Sequence, residues 1–271
     1  MVLSDMNEEQ KPCFVTLPGR ALIRIIGPDR RAFLDALVSN DLGLLDRQDS
    51  VYACLLTPQG KFLFDFIVFE EREALVLDCE GGERAEALLK KLKLYRLRSK
   101  VELTLTTPAL IFSLPPVNGR GENEGKADGY ADPRHSALGR RSLIKPNLDE
   151  RPFSAWDSLR IRLAVPDGSR DMVPEQSTLI ESNIDRLHGV AFDKGCYIGQ
   201  ELTARMHHRG LAKKHLFAVE WKEEPSKPGT DIMLDGYLAG QARSNCGPIG
   251  LTLLKDGAID LPGLPFTFLP S

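Results

Sequence analysis

Across residues 20–106 the spacing of apolar residues changes from strand-like to helical and back twice, and few architectures accommodate that order. Residues 20–26 (RALIRII) read as a strand bounded by Gly19 and by Gly27-Pro28. Asp29 then offers an N-cap, and Phe33, Leu34, Leu37 and Val38 recur at helical spacing until Ser39-Asn40-Asp41 ends the run. Two strands, 52–56 and 62–69, flank Thr57-Pro58-Gln59-Gly60-Lys61, whose residue types make a hairpin turn. A strand at 74–77, an amphipathic helix at about 83–95 and a strand at 101–106 complete the segment. The order predicts an α+β layer on a mainly antiparallel sheet.

Residues 115–127 (PPVNGRGENEGKA) have no periodicity and read as an exposed mobile loop. A second, shorter α/β stretch follows to about residue 211. From Lys214 the pattern becomes short strands broken by Pro and Gly, at 215–221, 231–234, 240–243, 249–254 and 265–268, as in a small β-barrel. The expected divisions are therefore 1–108, 109–211 and 212–271.

Lysine and arginine total 35 against 38 acids, a formal charge of −3, which argues against a nucleic-acid partner reached through global charge. No apolar run approaches the roughly 18 residues of a membrane span. The first residues, acidic at Glu8 and Glu9, lack the plan of a signal or transit peptide, so the expected compartment is the cytoplasm. The five cysteines, at 13, 54, 79, 196 and 246, are odd in number, scattered and without C-x-x-C spacing, which fits neither a disulfide framework nor a permanent metal site.

The densest chemical signal is residues 192–210, FDKGCYIGQELTARMHHRG. Gly195 and Gly199 bracket Cys196, Tyr197 and Ile198, and the pattern turns helical after Gly199, with Glu201 and Arg205 at i, i+4. A cysteine just before a helix N-terminus and two residues from Lys194 is placed for a stabilised thiolate; such settings lower a thiol from about 8.5 into a range of about 3.5–7.5. A thiolate there serves as nucleophile, redox thiol or ligand to soft iron. The competing reading is a buried structural cysteine in a glycine-made turn. The basic run Arg205, His207, His208, Arg209, Lys213, Lys214 and His215 reads either as a solvated helix end or as a surface for an anionic ligand or partner. Asp65 lies in an apolar strand (FLFDFIVF) and needs a partner or a task, unless alternation turns it to solvent.

Residues 194–201, KGCYIGQE, resemble the signature of the YgfZ-type folate-binding proteins, relatives of the glycine-cleavage T-protein whose mitochondrial members assist 4Fe–4S cluster assembly. The resemblance extends over nearly the whole chain. Residues 20–41 resemble the family's opening block, with Ser39 in place of its usual Thr, and residues 55–69 its second block, which leads to an aspartate at Asp65. Residues 94–101 (LYRLRSKV), Pro228-Gly229 and the Gly240-x-x-x-Ser244 pattern also fit, and residues 205–209 (RMHHR) are similar to the subgroup nearest the mitochondrial proteins. The chain departs after Leu159, where the superfamily usually reads Arg-Ile-Glu-Ala-Gly and this sequence has Arg160-Ile161-Arg162-Leu163-Ala164.

The resemblance implies a T-protein-like ring of subdomains, two ferredoxin-like α/β halves and a C-terminal β-barrel. It implies a tetrahydrofolate-binding accessory protein for iron–sulfur cluster assembly or repair, with assembly or client proteins as partners. Cys196 and Asp65 would carry the chemistry. Asn40, Asp65, Lys194, Tyr197, Gln200 and Arg205 would surround the folate, and Cys196 would be at most a transient cluster ligand. Whether the chain turns over a substrate stays open at this level: a T-protein-type aminomethyltransferase centred on Asp65 and a non-catalytic adaptor are the alternatives.

Overall fold

The computed structural model describes residues 12–114 and 129–270; the loop expected at 115–127 lies outside the described residues. In chain order the elements are β1 (Cys13–Ile26), α1 (Arg30–Asp35), β2 (Ser50–Leu56), β3 (Phe62–Glu71), β4 (Ala74–Glu80), α2 (Glu83–Tyr95) and β5 (Glu102–Leu114). Then come β6 (Tyr130–Ala131), β7 (Arg140–Ser142), β8 (Asp149–Arg151), α3 (Phe153–Arg162) and α4 (Gln200–Arg209). The C-terminal strands are β9 (Lys214–Trp221), β10 (Asp231–Leu234), β11 (Tyr237–Cys246), β12 (Ile249–Lys255) and β13 (Phe266–Phe268). Eight strands form one sheet in the order β2-β3-β4-β1-β5-β7-β6, with β8 pairing β1 in parallel; the last five form a second sheet, β10-β11-β12-β9-β13. This is the expected α+β class with a small all-β C-terminal unit.

Three local expectations are corrected. β1 starts seven residues before the predicted strand, because pairing with β5 continues through Pro18-Gly19 by way of register shifts between Leu17 and Leu22. α1 stops at Asp35, and Asp29 does not cap it: its carboxylate accepts instead from the Lys100 backbone N–H at 2.7 Å. Residue 108, an expected division, falls inside β5, whose hydrogen bonds run on to β1 and β7; residue 211 falls between α4 and β9.

The large sheet is buried on both faces. On one, Ile23, Ile25, Val51, Leu55, Phe66 and Leu77 pack under α1 and α2 through Phe33, Leu34, Leu88 and Leu92. On the other, Tyr52, Leu56, Phe62 and Ile67 meet Val165, Met172, Leu179 and Leu187. The second face also holds charge. Asp78, fully buried, accepts from Arg20 Nε at 2.7 Å, Tyr130 Oη at 2.9 Å and Arg141 Nη1. Asp132 accepts from Arg134 at 2.6 Å and Arg141 at 3.0 Å. These arginines hold both carboxyls below the usual carboxylate range in spite of burial.

α3 anchors the two sheets. Arg160, with no exposed surface, binds Asp157 and Asp171 and donates to Ser244 Oγ on β11 at 2.5 Å, while the Ser244 N–H donates to Asp171 at 2.9 Å. Past its end, Val165 N–H returns to Arg160 O and Ala164 N–H to Ile161 O, both at 2.9 Å, the paired bonds of a Schellman cap. Ala164 fills the left-handed position, φ +51°, the place where the resemblance leads one to expect glycine. An alanine Cβ is strained there. Ala164→Gly is therefore expected to raise unfolding free energy by about 0.5–1 kcal/mol, measured by urea denaturation.

Candidate functional site

The three sequence blocks that carry the family resemblance meet in space. Ser39 Oγ donates to Gly189 O at 2.6 Å and accepts from the Cys54 N–H at 2.9 Å. The Asn40 amide donates to Tyr52 O at 2.8 Å and His188 O at 2.6 Å, while its oxygen accepts from the Asp41 N–H. Ala191 N–H donates to Ser39 O. The chain leading to Cys196 is thus stapled to the segment after α1.

Lys194 completes the staple. Its ammonium, almost wholly buried, donates to Asp35 O (2.7 Å), Asp35 Oδ1 (3.0 Å), Val38 O (3.1 Å) and Asn40 O (2.7 Å). Three N–H bonds facing four oxygens are fully committed. The expectation that Lys194 stabilises a Cys196 thiolate is corrected: this cation satisfies the bare carbonyls after a short helix.

Beyond Lys194 the loop divides. Tyr197 packs against the core on one sheet face and Ile198 against the core on the other; burial pushes the Tyr197 phenol up to about 12. Gly199, φ +79°, presses on the β2–β3 turn, where any Cβ would run into Thr57 O. A Cβ on Gly60 would in turn come within 2.7 Å of Gly199 O. Gln200 accepts from the Tyr197 N–H at 2.9 Å and opens α4. Between these anchors Cys196 is exposed, so the reading of it as a buried structural cysteine falls, whereas Cys54 and Cys79 are buried.

Arg205 is exposed on α4 and, contrary to the i, i+4 expectation, forms no ion pair with Glu201. His207 stacks on Phe192 with ring centroids 3.8 Å apart. No helix among the described residues is long and apolar enough to cross a membrane.

Asp65 lies on β3. It faces the second core rather than solvent, because Cys54 is its cross-strand partner on that face. Tyr52 Oη, on the diagonal neighbour, donates to Oδ2 at 2.9 Å. Burial raises its pKa against the pull of Arg20 and Arg134. Gly168 covers it: a Cβ there would lie 3.4 Å from Asp65 Oδ1. Gly168 also lines a cavity of about 210 Å³ with Arg20, Glu80, Phe153, Trp156 and Asp167.

Of the six residues assigned to folate, Lys194 meets Asn40 and Gln200 meets Tyr197; Asn40 lines a cavity of about 660 Å³, and its amide is already saturated. Gly168 and Glu80, near Asp65 in space, are distant in sequence and carried no signal; Tyr52 was open to inference as the diagonal neighbour of Asp65 in the predicted hairpin.

The long sheet buried on both faces, followed by an all-β C-terminal unit, has the fold of the aminomethyltransferase T-protein. The solved glycine cleavage system aminomethyltransferase T from Bartonella henselae superposes with a TM-score of 0.70 at 15% identity, covering 95% of this chain and 82% of that one. No family model matches the chain. Curated relatives do. The human "Iron-sulfur cluster assembly factor IBA57, mitochondrial" is 35% identical, with 92% of this chain and 79% of the relative covered; the mouse protein of that name is 32% identical with the same coverage. The Neurospora crassa IBA57 homolog is 30% identical over 81% of this chain and 56% of its own length. The chain belongs to the IBA57 family, whose matched members are named mitochondrial.

Two outcomes follow from this geometry. Lys194→Met is expected to cost about 2–3 kcal/mol, read by urea denaturation, with faster amide exchange across residues 191–199. Asp65 has a folded pKa above its unfolded value near ~3.9, so the native state binds the extra proton and stability falls as pH rises through the raised value. Asp65→Asn should therefore raise Tm at pH 7, with the gain vanishing toward pH 4, in a calorimetric pH series.

Proposed function

We propose that this chain is an iron–sulfur cluster assembly factor whose working group is the Cys196 thiol, with tetrahydrofolate held at Asp65. The observation that carries the reading is an exposed cysteine on a loop fixed at both ends by buried contacts, in a family with members named for cluster assembly.

The chemistry is that of a presented sulfur. The thiolate form is the nucleophile and the metal ligand, and thiolates suit iron–sulfur clusters. Among the described residues no three His, Cys, Asp or Glu gather to hold a metal. Cys196 therefore contributes one ligand, and the assembly or client protein brings the others. A fixed loop lowers the ordering cost of that encounter.

The cavity beside Gly168 would take the pterin end of a folate. In the cavity lined by Gly168, Phe153 and Trp156 offer aromatic walls and the buried Trp156 Nε1 lacks a partner; Asp65, its Oδ2 held by Tyr52, lies behind Gly168 and does not line that cavity, so its Oδ1 would meet a ring N–H only with the Gly168 strap moved aside. About 210 Å³ is below the roughly 300–1,000 Å³ of a whole-ligand pocket, so the ring alone would enter. When bound, tetrahydrofolate supplies a reduced pterin that carries one-carbon units. Glu80, already accepting from Ser169 Oγ at 2.6 Å, holds the Gly168-Ser169 strap over the site.

The aminomethyltransferase reading draws on the same Asp65 and on the fold likeness; it requires ammonia release from an aminomethylated lipoyl carrier. Cys196→Ser separates the two. The variant should keep its Tm within about 2 °C, as exposed substitutions do, yet fail to restore cluster-dependent enzymes in a strain lacking the protein. Full rescue would remove the thiol from the mechanism. Tetrahydrofolate should raise Tm in the wild type and much less in Asp65→Ala; no rise at any dose would remove the folate.

A further inference from the structure

The C-terminal sheet buries an arginine that forms no ion pair with a carboxylate among the described residues. Arg243 on β11 is 8% exposed. Its Nη1 donates to Gln241 Oε1 at 2.7 Å, and its Nε has no partner. Asp171 attracts it, but that carboxylate is occupied by Arg160 and by the backbone N–H groups of Asp167 and Ser244. Burial consequently weakens the guanidinium's hold on its proton. An uncompensated buried cation is among the least tolerated features of a folded chain.

The backbone places it deliberately. Register between β11 and β12 breaks between Ala242 and Asn245, and Ala242, Arg243 and Ser244 are all buried where a regular strand would alternate. Ser244 turns to Arg160. Arg243 turns to a cavity of about 260 Å³ between this sheet and residues 173–181.

Two lysines line the same cavity, Lys214 on β9 and Lys255 on β12, and they are direct cross-strand partners. Like charges so placed repel unless an anion sits between or beside them. The acids facing the cavity, Glu181 and Asp231, are each engaged by a neighbour, Thr178 at 2.9 Å and Gln241 at 3.1 Å. Three cations against two acids leave the cavity positive.

We infer that this cavity is a binding site for a small oxyanion, a phosphate or a carboxylate, held by the Arg243 guanidinium with Lys214 and Lys255 closing over it. A guanidinium fork matches either group bidentately, and the lysines add point charge. The cavity is smaller than a typical ligand pocket, which suits an anion of few atoms. The site shares no residue with the Cys196 loop, with Asp65 or with the cavity beside Gly168, so it stands whether or not the proposed function does.

The test is thermal denaturation of the full chain in potassium phosphate and in potassium succinate, each against potassium chloride at equal ionic strength. At about 100-fold excess over Kd, one anion or both should raise Tm by about 5 °C; the lower Kd identifies the preferred group. Arg243→Gln should abolish the rise while matching or exceeding the wild-type Tm in chloride, and Lys255→Gln should weaken the Kd several-fold. No rise with either anion, a rise undiminished in Arg243→Gln, or a lower Tm of that variant in chloride would overturn the site; the last would make Arg243 a structural residue.

Discussion

The arrangement depends on a buried chain of charge running from Asp78 through Arg141 and Asp132 to Arg134. Removing one member of such a group strands its partner at a cost of about 3–5 kcal/mol. That condition ties β6 and β7, strands of two and three residues at the β5 edge, across the sheet face to Asp78 on β4, adding to their few ladder bonds. It also sets the contrast on that sheet face. Asp78 and Asp132 lie among arginines and stay ionised, whereas Asp65 is bonded by a neutral phenol and is pushed the other way.

The two chemical centres are built on different logic. At Asp65 the fold closes over a carboxylate with a glycine strap, which raises its proton affinity. At Cys196 it spends buried contacts on the neighbours and leaves the sulfur outside. Tyr197 and Ile198, sunk into opposite cores, serve the loop as two anchors serve a bracket.

Much of this was legible in residue order where the governing interactions are local. Helical spacing located α2 at the predicted residues, and the Thr57–Lys61 turn predicted the β2–β3 hairpin, because each depends on neighbours within a few positions. Cys196 stood out through its flanking glycines for the same reason. Lys194 was misread because nearness in sequence was taken for nearness in space; its oxygen partners lie 154–159 residues away. Arg243 carried no signal, since a bulge breaks the period-two rule that sorts strand residues into inside and outside.

The facing glycines at 60 and 199 have a consequence for inheritance. Two backbones in direct contact leave no slack for a side chain on either, and no slack for a longer turn. A residue gained or lost in the β2–β3 hairpin would displace the peptide that aims the sulfur. Segments just over half the chain apart are therefore constrained together.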